Sequence, residues 1–296
     1  MVRRLSPDSL SITEFKSAID VTIAEKMLQF PLLGENVPGK WKIKFTSEFH
    51  MTNDSRLFHK ERQPGMLPLY EGKMMHQFTH QWGGTSARYW VDEKAGRAAL
   101  LGKEKDNGQI LGYQDYRFVY RRIGRNTDIR TLIATILPKN TFASESFHAL
   151  EPHNLTHREA LYLISVLNAF TSDYIIRQKI SANLSMYFTY ALSIPRYTEG
   201  DPYFGGLVER AARLICTTPE YDALAAAAGI ADHRAGVTDV AGRARLRAEI
   251  DGLVAHLYRL TEAEYVHILG TFPLVAAPVK AAALAAFGAV ARGEIK

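Results

Sequence analysis

The chain contains few of the features on which several classes of protein depend. Cys216 is the only cysteine among 296 residues, which excludes an intramolecular disulfide and a cysteine-rich zinc site. No apolar run approaches the roughly 20 residues that a transmembrane helix needs. The first residues also lack the apolar segment of a secretory signal. These features predict a cytoplasmic protein without a membrane partner.

The motifs of several enzyme classes are missing as well. Methyl transfer to the amino group of a base requires an Asn/Asp-Pro-Pro-Tyr/Phe loop and a glycine-rich loop for the methyl donor. The nearest segment, Asp201-Pro-Tyr-Phe204, lacks the second proline. Neither a G-x-G-x-x-G nor a Walker-type loop occurs, and there is no H-E-x-x-H. We therefore expect no methyl transfer by this chain alone.

Positive charge is concentrated in the first half of the chain. Residues 1–138 contain 21 Lys and Arg against 15 Asp and Glu, a net of +6, although the whole chain carries only +5. Residues 198–296 contain 10 against 12, a net of −2. A basic half of this kind is where a surface that contacts nucleic-acid phosphates is expected.

The pattern of apolar residues predicts an α+β fold. Residues 66–123 consist of short strand candidates, including Met74–Phe78, separated by glycine-containing loops such as Glu93–Gly96, and Thr131–Leu137 reads as a buried strand. After Pro138 the pattern becomes helical: Thr156 is expected to cap one long helix that continues to about Ile180, and Thr261 is expected to cap another that continues to Leu269. We predict a mixed-sheet domain over residues 1–197 and a helical region over residues 198–296.

One candidate site is a metal-dependent nuclease. Such sites combine an upstream Asp with an acidic residue and a Lys two positions apart, so that carboxylates hold Mg²⁺ and the Lys steadies the attacking water. Asp54, Glu71 and Lys73 have this order. Gly72 interrupts the strand pattern between the last two residues, and Asp54 lies in a turn-like segment. We expect Glu71 to pair with a neighbouring basic side chain, or to cap the turn at Gly72, more readily than to hold a metal.

Histidine pairs at a spacing of four suggest a metal site only on a helix. His76 and His80 lie in a strand-like context and not on a helix. His153 precedes the expected helix cap, so it does not share a helix face with His157. We predict no metal ligands among them.

An arginine-rich segment is the best candidate for a binding site. Tyr116–Arg130 contains five arginines interleaved with three aromatic residues. Guanidinium groups bind phosphates or guanine edges with two parallel hydrogen bonds, and Asn126 has the amide that reads an adenine edge. The alternative is a solvated edge strand with a charged face.

Several phrases, taken in order, resemble one protein family. Leu67-Pro-Leu-Tyr-Glu-Gly-Lys-Met-Met-His-Gln-Phe78, preceded by Met51-Thr-Asn-Asp-Ser55, resembles the C-terminal specificity region of large adenine-N6 DNA methyltransferases of restriction and phage-exclusion systems. Arg117–Pro138 resembles a second block of that family. Leu167–Tyr174 with Arg177-Gln-Lys179 and Asn183-Leu-Ser185 is similar to type I specificity subunits and TaqI-like recognition domains, and Tyr258–Pro273 is similar to the usual family ending.

The resemblance implies a target-recognition region that reads double-stranded DNA. It implies a methyltransferase domain or subunit as partner, with S-adenosylmethionine and Mg²⁺ as cofactors of the parent enzyme and none in this chain. The chain is then expected to be a fragment, a split gene or a recognition subunit. The residues expected to contact DNA are Lys73, His76, Gln77, Arg117, Arg121, Arg122, Arg125, Asn126, Arg130, Lys179 and Asn183.

Three functions therefore remain open from the sequence. Recognition of DNA without catalysis is the main hypothesis. A Mg²⁺-dependent endonuclease that uses Asp54, Glu71 and Lys73 is the second, and a scaffold for partners other than DNA is the third.

Overall fold

A computed structural model describes residues 17–152, 154–180 and 182–296, and its fold is α+β. One sheet has the order β1 (Phe45–Thr46), β7 (Phe147–Leu150), β4 (Arg117–Arg121) and β5 (Ala134–Leu137), with all neighbours antiparallel. A second sheet has the order β3 (Tyr89–Asp92), β2 (Met66–Tyr70) and β6 (Phe142–Ala143), in which β2 and β6 run parallel. The predicted α+β class with a mixed sheet is confirmed.

Most of the helices follow the sheets in the chain. Two lie earlier, α1 (Ala18–Met27) and α2 (Glu93–Leu101). The others are α3 (His157–Asn168), α4 (Phe170–Arg177), α5 (Met186–Tyr190), α6 (Phe204–Ile215), α7 (Asp222–Ala228), α8 (Val240–Leu257), α9 (Glu262–Gly270) and α10 (Ala277–Ala291). No helix in these described ranges has the length and apolar character needed to cross a bilayer.

The main hydrophobic core joins the first sheet to the helices. Tyr120 on β4 and Leu161 on α3 are buried in the same cluster as Leu207 on α6 and Val254 on α8. Apolar contacts therefore run across residue 197, while the division into two domains at that point stays a prediction.

The helix predicted from Thr156 to about Ile180 begins where expected but is broken in the middle. The Thr156 hydroxyl accepts from the Glu159 amide at 3.2 Å, and the Glu159 carboxylate accepts from the Thr156 amide at 2.8 Å, which forms a capping box. Ala169 then takes an extended conformation with ψ of 152°. The Phe170 amide finds its acceptor in the Asp251 carboxylate at 2.9 Å, so the break leaves no unpaired donor there.

Two predicted features of the sheet region are wrong. Met74–Phe78 is not a strand: a 3-10 turn covers Gly72–Met74, and Phe78 has a φ of +60°, which a strand does not accommodate. The segment Glu93–Gly96, expected to be a loop, begins α2 because the Asp92 side chain accepts from the Ala95 amide at 2.9 Å and caps the helix.

Candidate nucleic-acid interface

Two loops that are distant in the chain meet at one end of the first sheet. One joins β4 to β5 and the other joins α4 to α5. The Leu184 amide donates to the Arg122 carbonyl at 2.8 Å, and the Gly124 amide donates to the Ala182 carbonyl at 3.4 Å. We call the side chains gathered here the loop surface, which comprises Arg122, Arg125, Asn126, Arg177, Lys179 and Asn183.

The backbone of the first loop is held from within and from α4. The Arg125 amide donates to the Asp128 carboxylate at 2.9 Å, and the Thr131 hydroxyl donates to the Arg125 carbonyl at 2.8 Å. Arg177 donates to the carbonyls of Asn126 at 2.5 Å and Ile129 at 3.3 Å. These contacts fix the loop while leaving its side chains outside.

Arg125, Asn126 and Asn183 are exposed. Their side chains make no hydrogen bond or ion pair within the described ranges of the chain. A guanidinium and two amides are therefore available to an external ligand. These groups donate to phosphates and to base edges.

Arg122 and Lys179 add charge to the same surface. Arg122 is 42% exposed and lies 3.2 Å from the Glu145 carboxylate, which also pairs with His50 at 2.8 Å. Burial lowers the pKa of Lys179 to about 8. A nearby anion would raise this pKa and so favour the protonated form of Lys179.

Arg117 is placed in the interior. It is 4% exposed, forms an ion pair with Glu48 and donates to the Thr141 carbonyl at 2.8 Å. Glu48 in turn accepts from the Ala143 amide of β6 at 2.7 Å, so this pair links the two sheets. Arg117 has no surface for a phosphate and is not part of the loop surface.

Gln77 and Arg130 are also engaged inside the protein. Gln77 is 4% exposed and donates to the carbonyls of Leu132 at 2.8 Å and Asn168 at 3.1 Å. Arg130 pairs with the fully buried Asp173 at 2.8 Å and stacks on Phe170 at 4.1 Å. Their bonds hold the segment Arg130–Leu132 against the junction of α3 and α4, so both side chains serve packing.

His76 and Arg121 lie together, away from the loop tip. The His76 ring stacks on Trp82 with centroids 4.3 Å apart, and Arg121 donates to the Met75 carbonyl. Burial, together with the charges of Arg121, Arg247 and Arg130, lowers the pKa of His76 to about 4. His76 is therefore neutral at physiological pH.

The residues of the nuclease hypothesis have other partners. Glu71 pairs with Arg88 at 2.9 Å and with Lys73 at 3.6 Å, which confirms the expected pairing with a basic neighbour. Asp54 accepts from the His50 amide at 2.7 Å. In the part of the chain that the structure describes, no group of three His, Cys, Asp or Glu side chains is placed to hold a metal. His153 lies outside the described residues.

Comparison with known proteins gives only distant structural likeness. No protein-family model matches the sequence, and no curated protein matches it. A solved structure of the Type IIL restriction-modification enzyme MmeI in complex with DNA matches with a TM-score of 0.37 and 8% sequence identity. The match covers 82% of this chain and 36% of that chain, so this chain spans little more than a third of that protein. The closer resemblance to adenine-N6 target-recognition regions stays a prediction.

Sequence reasoning missed two contributions to this region. In the sequence Arg177 stands out only as part of a family phrase, yet its bonds to the Asn126 and Ile129 carbonyls hold the β4–β5 loop in place. Arg243 and Arg247 lie in a helix whose pattern signals nothing unusual, but both reach back to the segment Met75–Phe78. No local signal predicts such contacts because donor and acceptor are more than 160 positions apart.

Proposed function

We propose that this chain binds double-stranded DNA and provides target recognition to an adenine-N6 methyltransferase of a restriction-modification or phage-defence system. The observation that carries the proposal is the loop surface, where Arg122, Arg125, Asn126 and Asn183 come together from two separate segments. An array of cations and amides with free hydrogen-bonding groups supports a ligand that offers both phosphates and base edges.

Within this proposal the side chains have different tasks. Arg122, Arg125 and Lys179 contact phosphates, which gives affinity without sequence preference. Asn126 and Asn183 have the amides that distinguish base edges in the major groove. Lys73 is 52% exposed and provides an additional phosphate contact.

The chemistry is assigned to a partner. The sequence has neither the proline-containing loop nor the glycine-rich loop of a methylase, so a methyltransferase domain or subunit binds S-adenosylmethionine and transfers the methyl group. Any Mg²⁺ also belongs to the parent enzyme. The helical region over residues 198–296 packs on the first domain or on this partner.

The proposal predicts salt-dependent binding to duplex DNA. Fluorescence anisotropy with a labelled random-sequence duplex should detect binding at about 50 mM salt, and the affinity should fall steeply as salt is raised. Arg125→Ala should reduce the slope of log K against log [salt] by about 0.9, the value for one phosphate contact. Arg292→Ala is the control, since Arg292 is 61% exposed and lies in the C-terminal segment. Absence of binding by the wild-type chain at low salt would overturn the proposal.

The same experiment separates recognition from cleavage. Adding Mg²⁺ to the duplex and the wild-type chain should yield no cut product. Cleavage that disappears in Glu71→Ala would instead establish the nuclease hypothesis.

A further inference from the structure

Three arginines converge on backbone carbonyls of one short segment, Met75–Phe78. Arg121 donates to the Met75 carbonyl, Arg247 to Gln77 at 3.3 Å and Arg243 to Phe78 at 3.2 Å. None of the three forms an ion pair with any carboxylate of the described ranges. Carbonyl dipoles compensate only part of a full positive charge, so this cluster is short of negative charge.

The pKa values of groups in and beside the cluster reflect this excess of positive charge. Arg121, Arg247 and Arg130 act together with burial to depress the pKa of His76. Burial and the charges of Arg243 and Arg130 lower the pKa of Arg247 to about 10. Like charges held close together in a poorly hydrated region repel one another, and an anion placed among them would be stabilised.

An open cavity lies directly beside the cluster. Its volume is about 460 Å³, within the range of small-molecule sites, and Arg130, Arg247 and His76 contribute polar groups to its wall. Phe170, Val275 and Leu274 provide apolar surface, and Leu274 is 60% exposed at the rim. The cavity thus combines an apolar body with a positive end.

The carboxylates nearby offset only part of that charge. Asp173 is already paired with Arg130. Asp251 faces the cavity, accepts from the Phe170 amide and forms no ion pair with Arg130 or Arg247. Burial raises the pKa of Asp251 to about 6 against the opposing effect of both arginines, so Asp251 is mostly ionised at pH 7 and balances one positive charge. The three arginines Arg121, Arg243 and Arg247 still outnumber it.

We propose that this cavity binds a small organic anion, with its apolar body against Phe170, Val275 and Leu274 and its single anionic head beside Arg247. Arg247 suits this role because, among the residues that the structure describes, its Nη2 has one weak carbonyl bond and its Nε and Nη1 have no partner. A carboxylate, a sulfonate or a phosphate monoester on a hydrocarbon or aromatic body has the required chemistry. The site borders the β4–β5 loop, whose Ile129 and Arg130 line it, but it uses none of the side chains of the loop surface.

Two fluorescent probes test the site on the full chain. 1-Anilinonaphthalene-8-sulfonate and N-phenyl-1-naphthylamine share one ring system, and only the first carries an anionic group. The anionic probe should bind about tenfold or more tightly than the neutral one, as expected for a charge-assisted contact in a poorly hydrated site. Arg247→Met should remove most of that advantage and leave the affinity for the neutral probe nearly unchanged.

The controls distinguish this site from non-specific dye binding. Arg245→Met changes a neighbouring arginine of α8 that is 61% exposed and does not line the cavity, so both affinities should stay as in the wild type. Ala282→Trp should fill the entrance and weaken both probes. Equal affinity of the two probes for the wild type, or undiminished binding of the anionic probe to an Arg247→Met protein that melts cooperatively, would overturn the proposal. If Arg247→Met fails to fold, Arg247→Lys replaces it. The anionic probe should then keep only part of its advantage, because the charge remains while the planar two-point contact of the guanidinium is lost; an undiminished advantage would overturn the proposal.

Discussion

Replacing Asp173 by alanine is expected to lower the free energy of unfolding by about 3–5 kcal/mol, because it leaves the mostly buried Arg130 charge without its ion-pair partner. Asp173 has no exposed surface and accepts from Arg130 Nε at 2.8 Å. It also accepts from the backbone amides of Thr131 at 3.1 Å and Leu132 at 3.2 Å. Its loss leaves Arg130 without a counter-charge and two buried amides without acceptors.

Urea unfolding followed by circular dichroism measures this effect. The transition midpoint should move to lower urea while the slope m stays constant. Glu294→Ala is the matched control, since it removes an ion pair with Arg292 at 2.6 Å in which both side chains are exposed. Surface pairs contribute little, so no measurable change is expected there. Equal midpoints for the two variants would show that Asp173 does not hold the β4–β5 loop.

Asp173 matters for the proposed function because it holds the C-terminal end of the β4–β5 loop. Arg130 and Thr131 lie at the end of the segment that carries Arg125 and Asn126. Asp173→Asn keeps an oxygen for one amide but removes the charge, so we expect a smaller loss of stability than with alanine.

The double variant Arg122→Glu/Arg125→Glu should lose duplex binding by about 100-fold or more at low salt. Each substitution removes a favourable phosphate contact and places a like charge against the DNA. Arg125 is exposed and its side chain has no partner within the described residues, so its replacement leaves the packing intact. Arg122 is 42% exposed, and its replacement removes the ion pair with Glu145. The folded state should persist, which thermal unfolding would verify.

A control must reproduce the same change in net charge elsewhere. Arg234→Glu/Arg292→Glu alters two arginines that are 81% and 61% exposed in the C-terminal region. This variant should bind DNA with a loss well below that of the loop variant. If both variants lose affinity equally, binding reflects overall charge. If the loop variant binds as the wild type does, the loop surface is not the DNA contact.

Local signals in the sequence were reliable where the structure uses local interactions. Thr156 and Thr261 both cap helices as expected, because a capping box needs only residues three positions apart. The antiparallel pairing of β4 with β5 follows similarly from two apolar runs separated by a polar loop. The arginine-rich segment was likewise recognised from its composition.

Tertiary structure alone decided what each arginine does. Arg117 and Arg125 look alike in the sequence, but Glu48, 69 positions away, holds Arg117 in the interior. In the part of the chain that the structure describes, Arg125 has no such partner. Composition thus determined that this region is basic, and the long-range carboxylates determined which cations stay at the surface. The sequence does not predict the cavity beside Arg247 for the same reason: burial and missing counter-charges arise only when distant segments pack together.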